Sequence, residues 1–395
     1  MSAAAAGRRP LEGVRVLDFT RVLAGPYATA LLADLGADII KVEAPGGDDY
    51  RHVGPFHPDG SSVIFEAVNR GKRSVVLDVK NPADKAVALA LAENADVVVE
   101  NFRPGVADKL GLGWAALSAL NPRLVYASVS GFGQDNPDAG RPAYDIIVQA
   151  MSGLMHVTGD PAGEATLVGE SIADVVSGLF GSWAILAALY EREKTGAGRR
   201  IDVSMFDSMM ALQPLVVARA LATGSAPMRV GNRHPLSAPF GAFRAKGGSF
   251  VLAVLNNKLF ATLCTVIGRP ELAGDARFGS DPDRLANEGA LRAEIEGWSR
   301  TLSPGDAVAA LVAAGVPAAE VQDTRQALAA AAQRGRPVTQ TVTHPALGPL
   351  AVPEQPACFA GAPRGGSAPA PRLGGDTAAV AADPAAAWST AAAKA

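Results

Sequence analysis

A single carboxylate stands in a long run of small and apolar residues. Residues 171–190 read SIADVVSGLFGSWAILAALY, and Asp174 is the only charged residue between Glu170 and Glu191. Since a helix that is apolar on most faces is buried in a soluble protein, this run predicts a buried helix. Ser171 and Asp174 match the S-x-x-[DE] capping box, which satisfies backbone N–H groups of the first turn. A carboxylate at a helix N-terminus in an apolar wall is alternatively a nucleophile or an acid–base group, although capping boxes are the commoner feature.

The composition is that of a globular protein without a nucleic-acid partner. The chain has 395 residues, 48% of them hydrophobic, and a net charge of −3, which allows one large domain or two ordinary ones. Basic and acidic residues are interspersed, so no basic face for nucleic acid is predicted. Cys264 and Cys358 are the only cysteines; they are too few for a disulfide framework or a metal knuckle, and we expect a reducing cytoplasm.

The chain ends and the longest apolar run bear on location. The N-terminal residues lack a signal-peptide core, and the run after Asp174 is interrupted by Ser and Gly. Secretion and membrane insertion are therefore not expected. The Ala- and Pro-rich segment after about Pro363 predicts a frayed C-terminus.

The first part of the chain alternates between β-rich runs and helical patterns. The runs predicted as strands are residues 13–19, 38–45, 73–79, 96–102 and 123–132. Helices are predicted between them, one entered through Gly25-Pro26 and another capped by Asn81. This alternation predicts an α/β fold with a mostly parallel, Rossmann-like sheet.

A change of texture after about residue 224 predicts a second domain. We place the large domain at residues 1–224, completed by about 331–395, and a smaller α+β domain at 225–330. Within the smaller domain, a hairpin is expected around Lys246-Gly247-Gly248. The rest of that domain has a helical pattern rich in Ala and Leu.

Several common enzyme classes lack their motifs. RVLAGP, and not G-x-G-x-x-G, follows the first strand, which disfavours a nicotinamide or flavin dehydrogenase. There is no Walker A sequence or G-x-S-x-G elbow, and the 5 histidines show no close metal-ligand spacing. Kinase, α/β-hydrolase and zinc-enzyme functions are not predicted, and no metal site is expected.

Seven spaced segments of the sequence together carry a resemblance to a known family. They are PLEGVRVLDFTRVLAGPYATALLADLGADIIKVEAP, NRGKRSVVLDVK, ADVVVENFRPG, LNPRLVYASVSGFG, RPAYDIIVQAMSGLMHVTG, SIADVVSGLFG and REKTGAGRRIDVSMFDS. From about residue 10 to 375 and in the same order, they resemble the family III CoA-transferases, which include formyl-CoA transferase. The catalytic aspartate of that family matches Asp174. Capping and catalysis are compatible, because a helix N-terminus stabilises the anion that must attack.

The resemblance implies covalent catalysis. The Asp174 carboxylate would attack the thioester of a donor acyl-CoA, giving an aspartyl–acyl anhydride and then an aspartyl-CoA thioester. An acceptor acid would take the CoA by the reverse steps. The implied partners are acyl-CoA and small carboxylic acids, with CoA as a substrate and no permanently bound cofactor. The anhydride must be kept from water, which the apolar residues after Asp174 suit.

The resemblance also implies a set of CoA contacts. Residues that match them are Val22, Leu23, Ala24, Leu77, Lys80, Asn101, Phe102, Arg103 and Lys109. Ala44 departs from the pattern, because formyl-CoA transferase has an arginine there on the nucleotide. The basic residues that could replace that arginine, each alternatively a solvated surface charge, are Arg70, Lys72, Arg73 and Arg103.

Tyr144 and Asp145 fall beside the active site by the same match. The related α-methylacyl-CoA racemases have a histidine where Tyr144 stands and use it, with the aspartate, for proton exchange. A phenol, with an ordinary pKa of about 10, is a poor proton acceptor at neutral pH, so racemisation is the second hypothesis. A non-catalytic acyl-CoA-binding protein is the third, and the presence of Asp174 argues against it.

The implied acceptor is a dicarboxylic acid. The sequence resembles the glutarate and other dicarboxylate branches more than the formyl/oxalate branch, because VGNRHPLSAPFGAF replaces the glycine-rich loop of the formyl enzyme. Arg233 and His234 in this segment are candidates to hold a distal carboxylate, or alternatively to stabilise a turn or an interface. Chains of the family form interlocked dimers, which implies a homodimer here.

Overall fold

The computed structural model describes residues 7–365 and 367–388 and divides into two units. The first takes in residues 7–154, 167–225 and 336–388, apart from 366. The second takes in Met155–Thr166 and Ala226–Gly335. The segment 155–166, which the sequence analysis places in the large domain, therefore groups with the second unit.

Six strands form the sheet of the first unit, in the order β3-β2-β1-β4-β5-β6. They are β1 (Arg15–Asp18), β2 (Asp38–Glu43), β3 (Lys72–Val76), β4 (Val97–Glu100), β5 (Val125–Ser130) and β6 (Arg199–Ser204). Every neighbouring pair is parallel, which confirms the predicted Rossmann-like α/β fold. In this order the chain adds β2 and β3 on one side of β1 and then β4, β5 and β6 on the other side. The strand order therefore reverses between β1 and β4, the point at which such folds bind ligands.

Both faces of this sheet are buried, which explains its apolar strands. Leu17 and Val98 belong to the core on one face, while Val16 and Val97 belong to the core on the other. Successive residues of a strand point to opposite faces, so a strand covered on both sides carries apolar residues on successive positions and not on alternate ones.

Helices cover the sheet and connect its strands. Those between residues 24 and 223 are α1 (Ala24–Asp34), α2 (Val63–Asn69), α3 (Pro82–Glu93), α4 (Val106–Leu110), α5 (Trp114–Leu120), α6 (Asp145–Met151), α7 (Leu154–Val157), α8 (Ile172–Thr195), α9 (Met205–Leu212) and α10 (Pro214–Thr223). Asn81 caps α3 through the Ala83 N–H, with Pro82 at the first position, as predicted. A short 3-10 helix occupies Asp49–His52.

By length and composition α8 is able to cross a membrane, and so are α9 and α10 together, which are bent by 78°. Half of the apolar window of α8 is buried inside the structure. Core helices of many proteins pass the same test, so these lengths carry no membrane assignment.

The second unit is a three-stranded antiparallel sheet with helices. Its strands, in the order β7-β8-β9, are β7 (Phe240–Ala245), β8 (Gly248–Ala253) and β9 (Ala318–Glu320). Its helices are α11 (Asn257–Val266), α12 (Asp281–Ala286), α13 (Glu288–Ser299), α14 (Pro304–Ala313) and α15 (Thr324–Gln333), with 3-10 turns at Pro270–Gly274 and Ala276–Phe278. The predicted hairpin is confirmed: Ala245 pairs with Gly248, and Gly247 turns the chain with a φ of 79°.

The C-terminal part of the first unit is ordered where a frayed end was predicted. A hairpin of β10 (Thr339–His344) and β11 (Gly348–Pro353) precedes the segment predicted to fray, and that segment forms α16 (Thr377–Ala382) and a 3-10 turn at Ala386–Trp388. Val380 and Trp388 are buried in the core against one face of the sheet. The prediction is therefore wrong up to residue 388, because two apolar side chains anchor an otherwise Ala-rich segment; residues 389–395 lie outside the described residues.

Candidate active site

A cavity of about 480 Å³ opens at the carboxyl ends of β1, β4 and β5. Its walls come from residues 21–24 after β1, from residues between 101 and 106 after β4, and from residues 129–131 at the end of β5. The segment between 139 and 144, with Asp174 and Met205, completes them. Because β1 and β4 flank the point where the strand order reverses, this is the expected ligand site of the fold.

Two glycines of α8 bring Asp174 to the N-terminus of α1. A Cβ at Gly178 would lie 2.6 Å from the carbonyl oxygen of Ala24, so only glycine permits this approach. Gly181, one turn further on, lies against Ala28 of α1. Asp174 precedes Gly178 by four residues and lies on the same helix face. Its carboxylate consequently reaches the first turn of α1, where the Ala24 N–H acts to lower its pKa.

The pKa of the Asp174 carboxyl group lies near neutral pH. Burial and the neighbouring charge of Asp145 raise its pKa to about 7, against the opposing effect of the Ala24 N–H. Both causes disfavour the charged form, the first by removing water and the second by like-charge repulsion. A group with this pKa is ionised in an appreciable fraction at neutral pH and is more basic than an ordinary carboxylate.

The predicted capping box at the start of α8 is wrong. Ser171 occupies the N-cap position but makes no capping hydrogen bond. Asp145, the first residue of α6, takes that role instead: its Oδ1 accepts the Ala173 N–H at 2.7 Å. Because the cap comes from 28 residues earlier, the side chain of Asp174 is free to face the cavity.

The wall after β1 contains the one non-glycine residue with a positive φ among the described residues. Val22 has a φ of 68°, which is unfavourable for a β-branched side chain. Its N–H donates to Asp48 Oδ1 at 3.0 Å. The Asn101 side chain brackets Arg21, accepting its N–H at 2.9 Å and donating to its carbonyl at 2.7 Å. Contacts from two other strand ends thus fix this turn against the cavity.

Two buried ion pairs stabilise the same turn at Val22. Lys41 Nζ lies 2.8 Å from Asp48 Oδ2 and donates to the Thr20 carbonyl at 2.6 Å. Lys72 Nζ lies 3.0 Å from Asp18 Oδ2. Burial lowers the pKa of Lys72 to about 8. Burial raises the pKa of Asp18, but the charges of Lys72 and Lys41 outweigh it and hold that pKa below its ordinary value.

Most of the predicted CoA contacts meet at the cavity. Those that line it with Asp174 are Val22, Leu23, Ala24, Asn101, Phe102, Arg103 and Tyr144. Four predicted residues do not line it: Leu77 is buried in the core, Lys80 and Lys109 are exposed, and Asp145 caps α8. Leu77 and Lys80 follow β3, at the same edge of the sheet as the cavity.

The four basic residues that were candidates to replace an arginine at Ala44 differ in their surroundings. Arg70 pairs with Asp34 at 2.6 Å, Lys72 with Asp18, and Arg73 with Asp38 at 2.7 Å. These three charges are directed to carboxylates of the fold and away from the cavity. Arg103 is exposed and lines it.

The cavity is also lined by two arginines that were not among the predicted CoA contacts. Arg21 lies 3.5 Å from Asp49, and the guanidinium of Arg141 lies 5.5 Å from the ring centre of Phe132. Both stand inside segments quoted for the resemblance, RVLAGP and RPAYD. Their position next to matched contacts was the available signal.

Arg233 and His234 lie in the second unit and have local partners. Arg233 is 2.7 Å from Glu288, and His234 stacks on Phe240 with ring centres 4.6 Å apart. The His234 N–H also donates to the Phe240 carbonyl. These contacts are those of the turn-stabilising alternative. Arg233 additionally lines a cavity of about 620 Å³ formed within the second unit.

Metal-binding and thiol chemistry have little support in the part of the chain that the structure describes. Within residues 7–365 and 367–388, no three His, Cys, Asp or Glu side chains are grouped as a metal ion requires. Cys264 is buried, and burial raises the pKa of its thiol to about 11, so it is a poor nucleophile.

One protein family accounts for nearly the whole chain. Residues 11–377 match the family model described as CoA-transferase family III. The chain belongs to this family. It is 49% identical over 320 residues to the acetyl-CoA:oxalate CoA-transferase of Acetobacter aceti, which covers 80% of this chain and 82% of the relative. The succinyl-CoA:glutarate CoA-transferase of Mus musculus is 36% identical over 346 residues, covering 87% and 79%.

Solved structures agree with this membership. A CAIB/BAIF family protein from Brucella suis superimposes with a TM-score of 0.86 and 37% identity, covering 95% of this chain and 99% of that one. The protein is therefore an enzyme, a family III CoA-transferase. The predicted resemblance to relatives that are named for dicarboxylic acids is confirmed, because the two relatives are named for oxalate and for glutarate.

Proposed function

We propose that this CoA-transferase moves CoA from a donor such as succinyl-CoA to a free dicarboxylic acid, with Asp174 as the nucleophile. The observation that carries the proposal is the Asp174 carboxylate in the wall of the cavity, with its pKa raised to about 7. Relatives named for oxalate and glutarate support a dicarboxylic acceptor. Three arginines in the same walls suit both the phosphates of CoA and a second carboxylate.

The proposed reaction proceeds in four bond exchanges. The Asp174 carboxylate attacks the thioester carbonyl, the C–S bond breaks, and CoA leaves as a thiolate beside a mixed anhydride. The thiolate attacks the Asp174 carbonyl carbon and expels the donor acid, leaving an aspartyl-CoA thioester. The acceptor carboxylate attacks that thioester and again releases the thiolate. The thiolate then attacks the acceptor acyl carbon, which frees both the new acyl-CoA and the Asp174 carboxylate.

The walls of the cavity provide the binding that this sequence needs. Pantetheine is proposed to lie along the turn at Val22 and the turn at Asn101, which are hydrogen-bonded to each other through Arg21 and line the cavity together. The nucleotide end is proposed to extend along the carboxyl edge of the sheet toward Lys80 after β3. Leu23, Ala24 and Met205 are apolar parts of the wall that also holds Asp174, and they favour transfer over hydrolysis of the anhydride by excluding water.

Product analysis tests this proposal. The protein is incubated with succinyl-CoA or acetyl-CoA and, separately, with oxalate, glutarate, mesaconate and acetate, and each acyl-CoA formed is identified by chromatography. The proposal requires a new dicarboxylyl-CoA thioester and no net hydrolysis. Exchange of the α-proton of a 2-methylacyl-CoA in deuterated water, without transfer to any acid, would instead support racemisation.

A homodimer is also proposed. Leu179, Trp183 and Tyr190 of α8 are 54, 66 and 67% exposed, and Leu221 of α10 is 81% exposed. Large apolar side chains at this exposure on neighbouring parts of the fold are typical of an interface. The family resemblance adds that the two chains would interlock. Light scattering should give twice the chain mass; a monomer of full activity contradicts the proposal.

A further inference from the structure

Gln149 is a buried amide whose side chain bonds to Asp145 at the start of α6 and to the segment that leads into α8. Its side chain is 1% exposed. Nε2 donates to Asp145 Oδ2 at 2.7 Å and to the Glu170 carbonyl at 3.3 Å, and Oε1 accepts the Val168 N–H at 3.0 Å. Gln149 therefore ties the first turn of α6 to residues 168–170, which lead into α8.

These bonds leave the Asp145 carboxylate no free rotation. Oδ1 is held by the Ala173 N–H at 2.7 Å, and Oδ2 is held by Gln149 at the same distance. A carboxylate with both oxygens engaged by donors is held in one orientation. That charge stands beside Asp174, one residue along α8 from the donor Ala173, and acts on it directly.

We propose that Gln149 is a positioning residue of the transfer reaction: it holds Asp145 on the first turn of α8 and so fixes a second negative charge beside Asp174. The inference rests on the proposed role of Asp174 as nucleophile. A nearby negative charge makes the attacking carboxylate more basic and hence a better nucleophile once it is ionised. Gln149 itself does not line the cavity and touches no reacting atom.

Other charged and titratable groups surround Asp174, and the test must leave them unchanged. Negative groups on the adjoining segments are Asp49, Glu170 and, on α9, Asp207. The phenols are Tyr27 on α1, Tyr50 and Tyr144; burial and the charge of Asp174 raise the pKa of Tyr50 to about 12, which keeps it neutral. The cations are the cavity arginines Arg21, Arg103 and Arg141. None of these side chains has a hydrogen bond to the Gln149 side chain.

Gln149→Met is the first test, because methionine has a similar length and volume but cannot donate a hydrogen bond. Asp145 then keeps the Ala173 N–H on Oδ1 but loses the donor that holds Oδ2, so its carboxylate is able to turn away from Asp174 and the repulsion weakens. The acid limb of the pH profile of kcat/KM should therefore move to lower pH, by about 0.5 pH unit or more. kcat should fall while KM for acyl-CoA stays within about twofold, since the cavity walls are untouched.

The matched control is Gln213→Met. Gln213 is also a buried amide, 6% exposed, and donates to the carbonyls of Ser152 and Met209 at 3.2 and 3.0 Å. Its side chain donates no hydrogen bond to Asp145, and Gln213 is not among the residues that line the cavity. Its substitution should lower thermal stability to a similar degree and leave the pH profile where it is. An equal displacement of the profile in both variants, or no displacement in Gln149→Met, overturns the proposal.

A second readout does not depend on catalysis. In protein labelled with ¹³C-aspartate, the Asp174 carboxyl signal is identified by its absence in Asp174→Asn, and its titration midpoint is measured directly. The midpoint should fall in Gln149→Met and in Gln149→Asn, whose amide is too short to reach both Asp145 and Val168. If wild-type protein transfers CoA to none of the acids, the proposed function fails, yet this midpoint still decides the role of Gln149. An unchanged midpoint in whichever variant folds refutes it.

Discussion

The Asp174 carboxyl group lies close enough to the backbone N–H of Ala24 for that N–H to lower its pKa, so the first turn of α8 meets the first turn of α1. Two helix N-termini carry partial positive charge and favour the carboxylate. Burial and the charge of Asp145 oppose them and prevail, because the pKa is raised from 3.8 to about 7. At neutral pH the protonated and ionised forms of Asp174 are therefore both populated, which has consequences for activity and for stability.

Asp174→Asn should abolish transfer. Asparagine keeps the size of the side chain but is not a nucleophile toward a thioester, so exchange of labelled succinate into succinyl-CoA should fall by about 10³-fold or more. Wild-type protein given succinyl-CoA and hydroxylamine should form a hydroxamate at Asp174, detected by peptide mass spectrometry, and the variant should not. A folded variant with near wild-type exchange rules out Asp174 as nucleophile.

The same substitution should raise the free energy of unfolding at alkaline pH. The folded-state pKa of Asp174 is above the ordinary value of 3.8, so its contribution to stability is fully present below that value and is lost as pH rises through about 7. Between pH 5.5 and pH 8 the advantage of Asp174→Asn should grow by about 2 kcal/mol. Urea unfolding of both proteins at the two pH values measures it; an advantage that shrinks with rising pH contradicts the shift.

The strands were predictable because their signal is local. A parallel sheet covered on both faces favours apolar residues on successive strand positions, and the three valines at the start of Val97–Glu100 show this without its neighbours. The position of Asp174 came from the family resemblance and from its isolation in an apolar run. The residue that caps α8 was not predictable from the sequence. The Ala173 N–H donates to Asp145, 28 residues away, whereas local spacing favoured Ser171.

The roles of the basic residues were not predictable for a related reason. Arg70 and Arg103 look alike in sequence, yet Arg70 is 1% exposed against Asp34 while Arg103 lines the cavity. Which of them faces a ligand depends on a partner 36 residues distant. Likewise, Trp388 closes the core over the sheet, although the Ala-rich composition around it is typical of a loose end.

Arg103→Ala and Arg73→Ala should separate ligand binding from support of the fold. Loss of an exposed guanidinium in the cavity wall removes a charge-assisted contact to CoA, so KM for acyl-CoA should rise about tenfold, or about 1.4 kcal/mol, with kcat little changed. Arg73 pairs with Asp38 at 2.7 Å and donates to the Ala387 carbonyl. Its loss should lower the melting temperature and leave KM unchanged. Initial rates over a range of succinyl-CoA concentrations and thermal unfolding test both; a raised KM for Arg73→Ala alone would reverse the assignment.

Gly178→Ala tests whether the close approach of α8 to α1 places the nucleophile. The added Cβ would lie 2.6 Å from the Ala24 carbonyl oxygen, which is backbone and cannot yield without moving α1. The expected cost in the free energy of unfolding is about 1–3 kcal/mol, together with a fall in kcat because Asp174 loses its place at the Ala24 N–H.

The control is Gly297→Ala in α13, where an added Cβ meets nothing within 4 Å. That change should stabilise the protein by roughly 0.5–1 kcal/mol, as alanine replaces glycine in a helix, without altering the rate. Urea unfolding and steady-state rates of the two variants decide the matter: an unaltered kcat in a destabilised Gly178→Ala would show that the approach supports the fold but does not position Asp174.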